Sequence, residues 1–180
     1  MKKKADGLVN NFLRRCRSCI ALLLFVVLVT PSTSMASINS DIHKAINLLN
    51  QKEYVQSLEL LHDLEGRVLN PDQLSHLFAV AYLGRGYQLL SSRDFSAARE
   101  AFFDGRQYNE EDIRLWQGEA MTWFKQGQYA VAVSLLDQAL GIAPQNADLY
   151  HLLGKAYYAD GRMAEALDAL TRSSELGGGA

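Results

Sequence analysis

Residues 79–112 read AVAYLGRGYQLLSSRDFSAAREAFFDGRQYNEED, residues 113–146 read IRLWQGEAMTWFKQGQYAVAVSLLDQALGIAPQN, and residues 147–180 read ADLYHLLGKAYYADGRMAEALDALTRSSELGGGA. Laid over one another without a gap, these segments of 34 residues keep five columns in register. Tyr82, Trp116 and Tyr150 share the first column, and Gly86, Ala120 and Gly154 the second. Phe95, Tyr129 and Met163 form the third, Ala98, Ala132 and Ala166 the fourth, and Phe102, Leu136 and Leu170 the fifth. A period of this length marks stacked copies of one supersecondary unit, none of which can bury its apolar face alone. Each unit is interrupted once by a short polar stretch bearing Gly or Asp, at Ser91–Phe95, Lys125–Tyr129 and Ala159–Met163, which stops one helix and caps the next. The spacing therefore predicts an all-α chain of antiparallel helix pairs.

The aromatic of the first column, the small residue four places on, the aromatic-small-large spacing after it and Pro144 near the end of a unit resemble the tetratricopeptide repeat, a helix-turn-helix of about 34 residues. The resemblance implies a solenoid of about four repeats. A divergent copy fits residues 38–71 through Ala45, Leu48, Tyr54, Ser57, Leu61 and Leu64, with Asn50–Tyr54 as its junction, leaving residues 72–78 as an insertion. Because Leu74, Leu77, Phe78 and Ala81 keep helical spacing, the next helix is expected to begin near Asp72 and to run about two turns longer than its counterparts.

Residues 1–36 have a different character. Six basic residues, Lys2, Lys3, Lys4, Arg14, Arg15 and Arg17, precede an uncharged run from Cys19 to Val29 and the small-residue site Ser34-Met35-Ala36. This reads as a secretory signal peptide cut after Ala36, the apolar run being short against the roughly 20 residues of a spanning helix. The general secretory route fits better than twin-arginine export, since the residues around Arg14-Arg15 lack the rest of that pattern. The alternative is an uncleaved inner-membrane anchor, favoured by the long basic end. No Cys follows the apolar run, which leaves no site for a lipoprotein anchor.

From residue 37 onward 12 basic residues face 19 acidic ones, and neither Cys16 nor Cys19 remains. An acidic body without a basic stripe is a poor partner for nucleic acid, and a chain without cysteine has no disulfide or thiolate chemistry. The whole composition, 48% hydrophobic and 21% charged, is that of an ordinary globular chain.

No catalytic constellation is legible, so the chain reads as a non-enzyme that needs no cofactor and takes no small-molecule substrate. Gly84-Arg-Gly86 lies inside a helical pattern with no strand before it and no third glycine, which argues for helix crossing over phosphate binding. His43, His62, His76 and His151 are scattered, with no pair at the spacing of a helical zinc site. His62 and Glu65 share a helix face, but no second such pair exists to complete a metal site.

Carried over position by position, the resemblance implies a ligand groove lined by the first helix of each unit. The second unit supplies Val80, Leu83, Tyr87, Leu90 and Ser91, the third Arg114, Gln117, Met121, Phe124 and Lys125, and the fourth Asp148, His151, Lys155, Tyr158 and Ala159. Ile42, Ile46 and Leu49 would follow from the divergent unit. A second reading of Ile42, Ile46, Leu83 and Leu90 is that they pack inside the stack. Apolar anchors beside Arg114, Lys125 and Lys155 suit a polypeptide segment. Ile42 and Ile46 stand where the family's binders of chaperone tails carry a Lys and Asn pair, so that activity is not implied.

The function read from the sequence is a non-catalytic scaffold or adaptor in the bacterial periplasm or cell envelope, binding a protein or peptide partner. The alternatives are an accessory segment of a longer envelope enzyme, or an assembly factor anchored in the inner membrane. The last helix, with Glu165, Asp168, Arg172 and Glu175 on one narrow stripe and Leu167 and Leu170 on a wide apolar arc, suggests self-association as well.

Overall fold

The computed structural model describes residues 35–67 and 70–177, all of whose regular structure is helical. Residues 1–34, 68–69 and 178–180 lie outside the described residues, and with them nearly all of the signal peptide expected from the sequence. The helices are α1 (residues 35–50), α2 (Tyr54–Leu64), α3 (Pro71–Ser91), α4 (Phe95–Tyr108), α5 (Ile113–Lys125), α6 (Tyr129–Ile142), α7 (Ala147–Ala159) and α8 (Met163–Glu175). The chain forms two units, Met1–His43 and Lys44–Ala180. Of the first, residues 35–43 are described and helical. The helix pairs discussed below lie in the second.

Short polar side chains set where these helices start. Asn70, Asp94, Asp112 and Asn146 each accept a backbone N–H of the first turn, from Gln73, Ala97, Arg114 and Leu149 respectively. Such a cap satisfies one of the donors that a helix N-terminus leaves free. The turns inside successive pairs reverse the chain through one left-handed residue, Lys52, Arg93, Gly127 or Gly161, with φ between 63° and 81°. Two are glycines, which adopt that region without strain, and two are long basic residues that do so at some cost.

Helix α3 has 21 residues against 13 in α5 and α7. Its added turns bury Leu74, Leu77 and Phe78. The Phe78 ring meets His62 of α2 at 4.8 Å and stacks on Tyr108 of α4 at 4.3 Å, so the extension joins the helices before and after it. Burial, with Glu65 alongside, pushes the Tyr108 hydroxyl up to about 12.

The close approach of α3, α4 and α5 depends on one ring and two missing side chains. Phe102 of α4 is 0% exposed. A β-carbon on Gly86 of α3 would lie 2.5 Å from its ring, and one on Gly118 of α5 would overlap the same edge. Ala79, Leu83, Ala98 and Leu115 complete this cluster. Gly84, the other glycine of the Gly84-Arg-Gly86 pair, faces the Tyr54 ring of α2 in the same way, so both glycines serve helix crossing. Further along, Trp116, Leu136, Leu149 and Leu153 lead a second cluster shared by α5, α6, α7 and α8, and Gly154 admits Leu170. Buried hydroxyls are satisfied locally: Ser57 donates to the Ala45 carbonyl, Thr122 to Gly118 and Ser173 to Ala147.

On α8 the inward face is narrower than the apolar arc suggested by the sequence. Ala166, Ala169 and Ser173 are buried, whereas Leu167 is 66% exposed, because a small-residue face suffices to seat α8 on α7. The stripe of charge is internally paired, Arg162 with Glu165 and Arg172 with Glu175. Among the described residues no helix is long and apolar enough to cross a membrane.

Gly86→Ala tests the Phe102 contact. Alanine is the better helix former by about 1 kcal/mol, yet overpacking against a buried ring costs about 1–3 kcal/mol. The variant is expected to unfold at lower denaturant, and Phe102→Leu in the same chain should recover part of the loss, a coupling that a double-mutant cycle measures.

Candidate binding groove

Helices α3, α5 and α7 are the first helices of successive pairs, and the sequence-derived site residues project from them. Three concavities run across these helices, linked by shared residues. The first is lined by Tyr87, Leu90, Ser91, Arg93, Phe95, Met121 and Lys125. Met121 and Lys125 also line the second, with Ala120, Phe124, Ala132, Leu136, Leu152, Lys155 and Ala156. Phe124 and Lys155 continue into the third, with His151, Gly154, Tyr158, Ala159 and Leu170. Tyr87, Leu90, Met121, Phe124, Lys125, His151, Lys155 and Tyr158 are thus brought together along one path.

On α3, α5 and α7 five of the fifteen residues expected in the groove, Val80, Leu83, Arg114, Gln117 and Asp148, line none of the three concavities. Leu83 is 9% exposed and belongs to the core around Phe102, which resolves its double reading in favour of packing. Arg114 lies at the start of α5 and is held by Asp112, with Nε 2.8 Å from Oδ1 and Nη2 2.6 Å from Oδ2. Its charge is compensated within the protein, and it lines none of the three concavities. Gln117 is half-buried and lines none of the three concavities. Leu90 both packs against the Phe102 cluster and lines the first concavity, so it serves in part both ways.

The aromatic walls have fixed orientations. Tyr87 sits edge-on to Phe102 with ring centroids 5.2 Å apart, and burial raises its hydroxyl above the usual range despite the nearby Arg114. Phe124 leans on Tyr129 at 5.3 Å. Tyr158 is 64% exposed. Several arginines among the described residues are engaged elsewhere: Arg106 pairs with Glu119 at 2.6 Å and lies over the Trp116 ring, and Arg99 lies over Trp123. Lys125 and Lys155 stand outside the ion pairs formed among the described residues.

The position-by-position transfer considered first helices only, and so it omitted Arg93 from the turn after α3, Phe95 from the start of α4, and Ala132, Leu136 and Leu170 from α6 and α8. The repeat columns held a signal for four of these, since Phe95, Ala132, Leu136 and Leu170 belong to them. Among the described residues no group of three or more His, Cys, Asp or Glu comes together to hold a metal ion.

One tetratricopeptide-repeat family model matches residues 83–147 and a second matches residues 124–177. Together they span residues 83–177, more than half of the 180. The small glutamine-rich tetratricopeptide repeat-containing protein 2 of Mycosarcoma maydis is 29% identical over 91 residues, which make up 51% of this chain and 26% of that protein. The chain thus spans about a quarter of that relative's length. Among solved structures, the second TPR of Spaghetti (RPAP3) bound to an HSP90 peptide superposes with a TM-score of 0.55 at 20% identity, covering 58% of this chain and 96% of that one. A double mutant of MamA RS-1 superposes with a TM-score of 0.56 at 18% identity, covering 77% and 74%. At these identities the likeness is one of fold.

Asp112 links the groove to folding. Burial raises its carboxyl, but the hydrogen bonds from Arg114 outweigh that and hold it below the ordinary carboxylate range. A carboxyl whose folded pKa is depressed adds stability above its unfolded value of about 4, and that stability is lost as pH falls through the folded pKa. Asp112→Asn keeps a capping oxygen and removes the charge. The variant is expected to be less stable than the parent at neutral pH and to approach it as the pH drops below about 4, read from denaturant midpoints across that range.

Proposed function

We propose that this chain, matched by tetratricopeptide-repeat family models over residues 83–177, is a non-catalytic scaffold that holds a polypeptide segment along α3, α5 and α7. The observation that carries this reading is the linked row of concavities, walled by the exposed rings of Tyr87 and Tyr158 and edged by Lys125 and Lys155. Extended or helical segments gain affinity from a few apolar anchors and a few polar partners, which is what such a path offers. A neighbour in fold, the second TPR of Spaghetti, was solved with a peptide bound, which supports the same use of this surface. The basic and apolar leader of residues 1–36 supports an exported protein whose partner resides in the periplasm or envelope.

Two experiments test this. Formaldehyde crosslinking of a tagged chain in envelope extracts should yield a partner that is lost with Tyr87→Ala and Tyr158→Ala together in a chain that still folds, the exposed Tyr158 change costing within about 0.5 kcal/mol and the Tyr87 change about 1 kcal/mol more, because it removes the edge-on contact with Phe102. Recovery of the same partner from the double variant argues against the groove. For the location, N-terminal sequencing of the natural product should start at or within a few residues of Ser37 in the soluble periplasmic fraction. Full-length chain in the membrane pellet would instead support an anchor.

A further inference from the structure

The repeats place different residues at equivalent positions, and one junction leaves a cavity. In the second unit Phe102 fills the space against Gly86 and Gly118 completely. One period later Leu136, Ala120 and Leu152 stand in those three columns. They do not close the junction as the single ring does, and a cavity of about 130 Å³ opens on the groove between α5 and α7. Ala120, Ala132 and Ala156 contribute only methyl groups to its wall, with Leu136 and Leu152 beside them. An apolar cavity of about 150 Å³ is large enough to take up a benzene molecule, so this one has the dimensions of a single leucine or phenylalanine side chain.

The charge around this cavity has one sign. Its lining includes Lys125 and Lys155 and no carboxylate. Lys125 also lines the first concavity and Lys155 the third, so each lysine stands on one of the two continuations of the path away from the cavity. Both lysines are outside the ion pairs of the described residues, whereas Arg106, Arg114, Arg162 and Arg172 each have an acidic partner. A ligand that fits must therefore offer one apolar side chain at its centre and negative charge to both sides. A chain that runs through the site supplies that arrangement; a terminal carboxylate supplies charge on one side only.

Resting on the groove reading above, we infer that the cavity beneath Ala120, Leu136 and Ala156 is an anchor pocket for one leucine- or phenylalanine-sized side chain of a protein segment whose flanking residues are acidic. Lys125 and Lys155 pair with the flanking carboxylates.

The test titrates the full chain with short synthetic peptides, acetylated and amidated so that no terminal charge contributes, by fluorescence anisotropy. One peptide carries a central Leu between runs of Glu, a second has Ala for that Leu, and a third has Lys for Glu. The Leu peptide should bind about tenfold or more tightly than the Ala peptide, the gain from burying a leucine side chain, and the Lys peptide should not bind. Leu136→Phe should fill the pocket from within and abolish the preference for Leu over Ala. Lys125→Glu with Lys155→Glu should transfer binding to the Lys peptide. The Leu and Ala comparison leaves the protein unaltered, so it stands even if Leu136→Phe fails to fold. Equal affinity for the Leu and Ala peptides overturns the inference, as does failure of the acidic peptides to bind or a folded Leu136→Phe chain that keeps its preference. If the envelope partner is still lost with the Tyr87 and Tyr158 substitutions in any of those cases, the groove reading survives without the anchor pocket.

Discussion

One phenyl ring sets the spacing on which the middle of the repeat array depends. Phe102 has no solvent exposure, and it has room only because residues 86 and 118, on the helices before and after its own pair partner's turn, are glycines. Interiors are packed to crystal-like density, so a ring of that size can enter a helix junction only where neighbouring side chains are absent. Its position also braces Tyr87 edge-on and brings Leu115 and Leu83 into the same cluster. Tyr87 then lines the groove, so a core contact orients a surface residue.

The next junction is filled differently. With Leu136, Ala120 and Leu152 where Phe102, Gly86 and Gly118 stood, the helices still meet but leave a space open to the groove. Void walls forgo dispersion contacts on their empty side. The array tolerates this because Trp116, Leu149 and Leu153 bury substantial apolar surface around it. A repeat protein is stabilised by the sum of its unit and interface contributions, which leaves latitude for one interface to be incompletely filled.

Charge is distributed by a comparable division. Arg106 spans from α4 to Glu119 of α5 while covering the Trp116 ring, and the indole N–H donates to the Glu110 carbonyl at 2.8 Å. Arg114 binds Asp112, whose other task is to cap α5. Guanidinium groups, planar and rich in donors, suit such fixed pairings, while the ammonium groups of Lys125 and Lys155 remain on flexible stems at the groove. An acidic chain thereby keeps a local positive edge where a partner would lie.

The sequence by itself determined the helix pairs and their type, because a period of 34 residues with five columns in register and a polar break in each unit is a one-dimensional signal that local propensity and apolar spacing suffice to produce. The family resemblance implied a groove on the first helices, and ten of the fifteen residues it placed on α3, α5 and α7 line the path of concavities. The tertiary structure decided what spacing alone could not. Leu83 and Tyr87 are four residues apart on one helix, yet one is buried against Phe102 and the other stands open, since burial depends on the partner helix opposite each face. Arg114 lost its part as a free cation to Asp112, a neighbour whose reach depends on the backbone geometry of a helix start. The cavity beside Leu136 is decided at the same level: a column of Phe, Leu and Leu records residue types, but the volume each leaves unfilled is fixed only when the facing helices close on it.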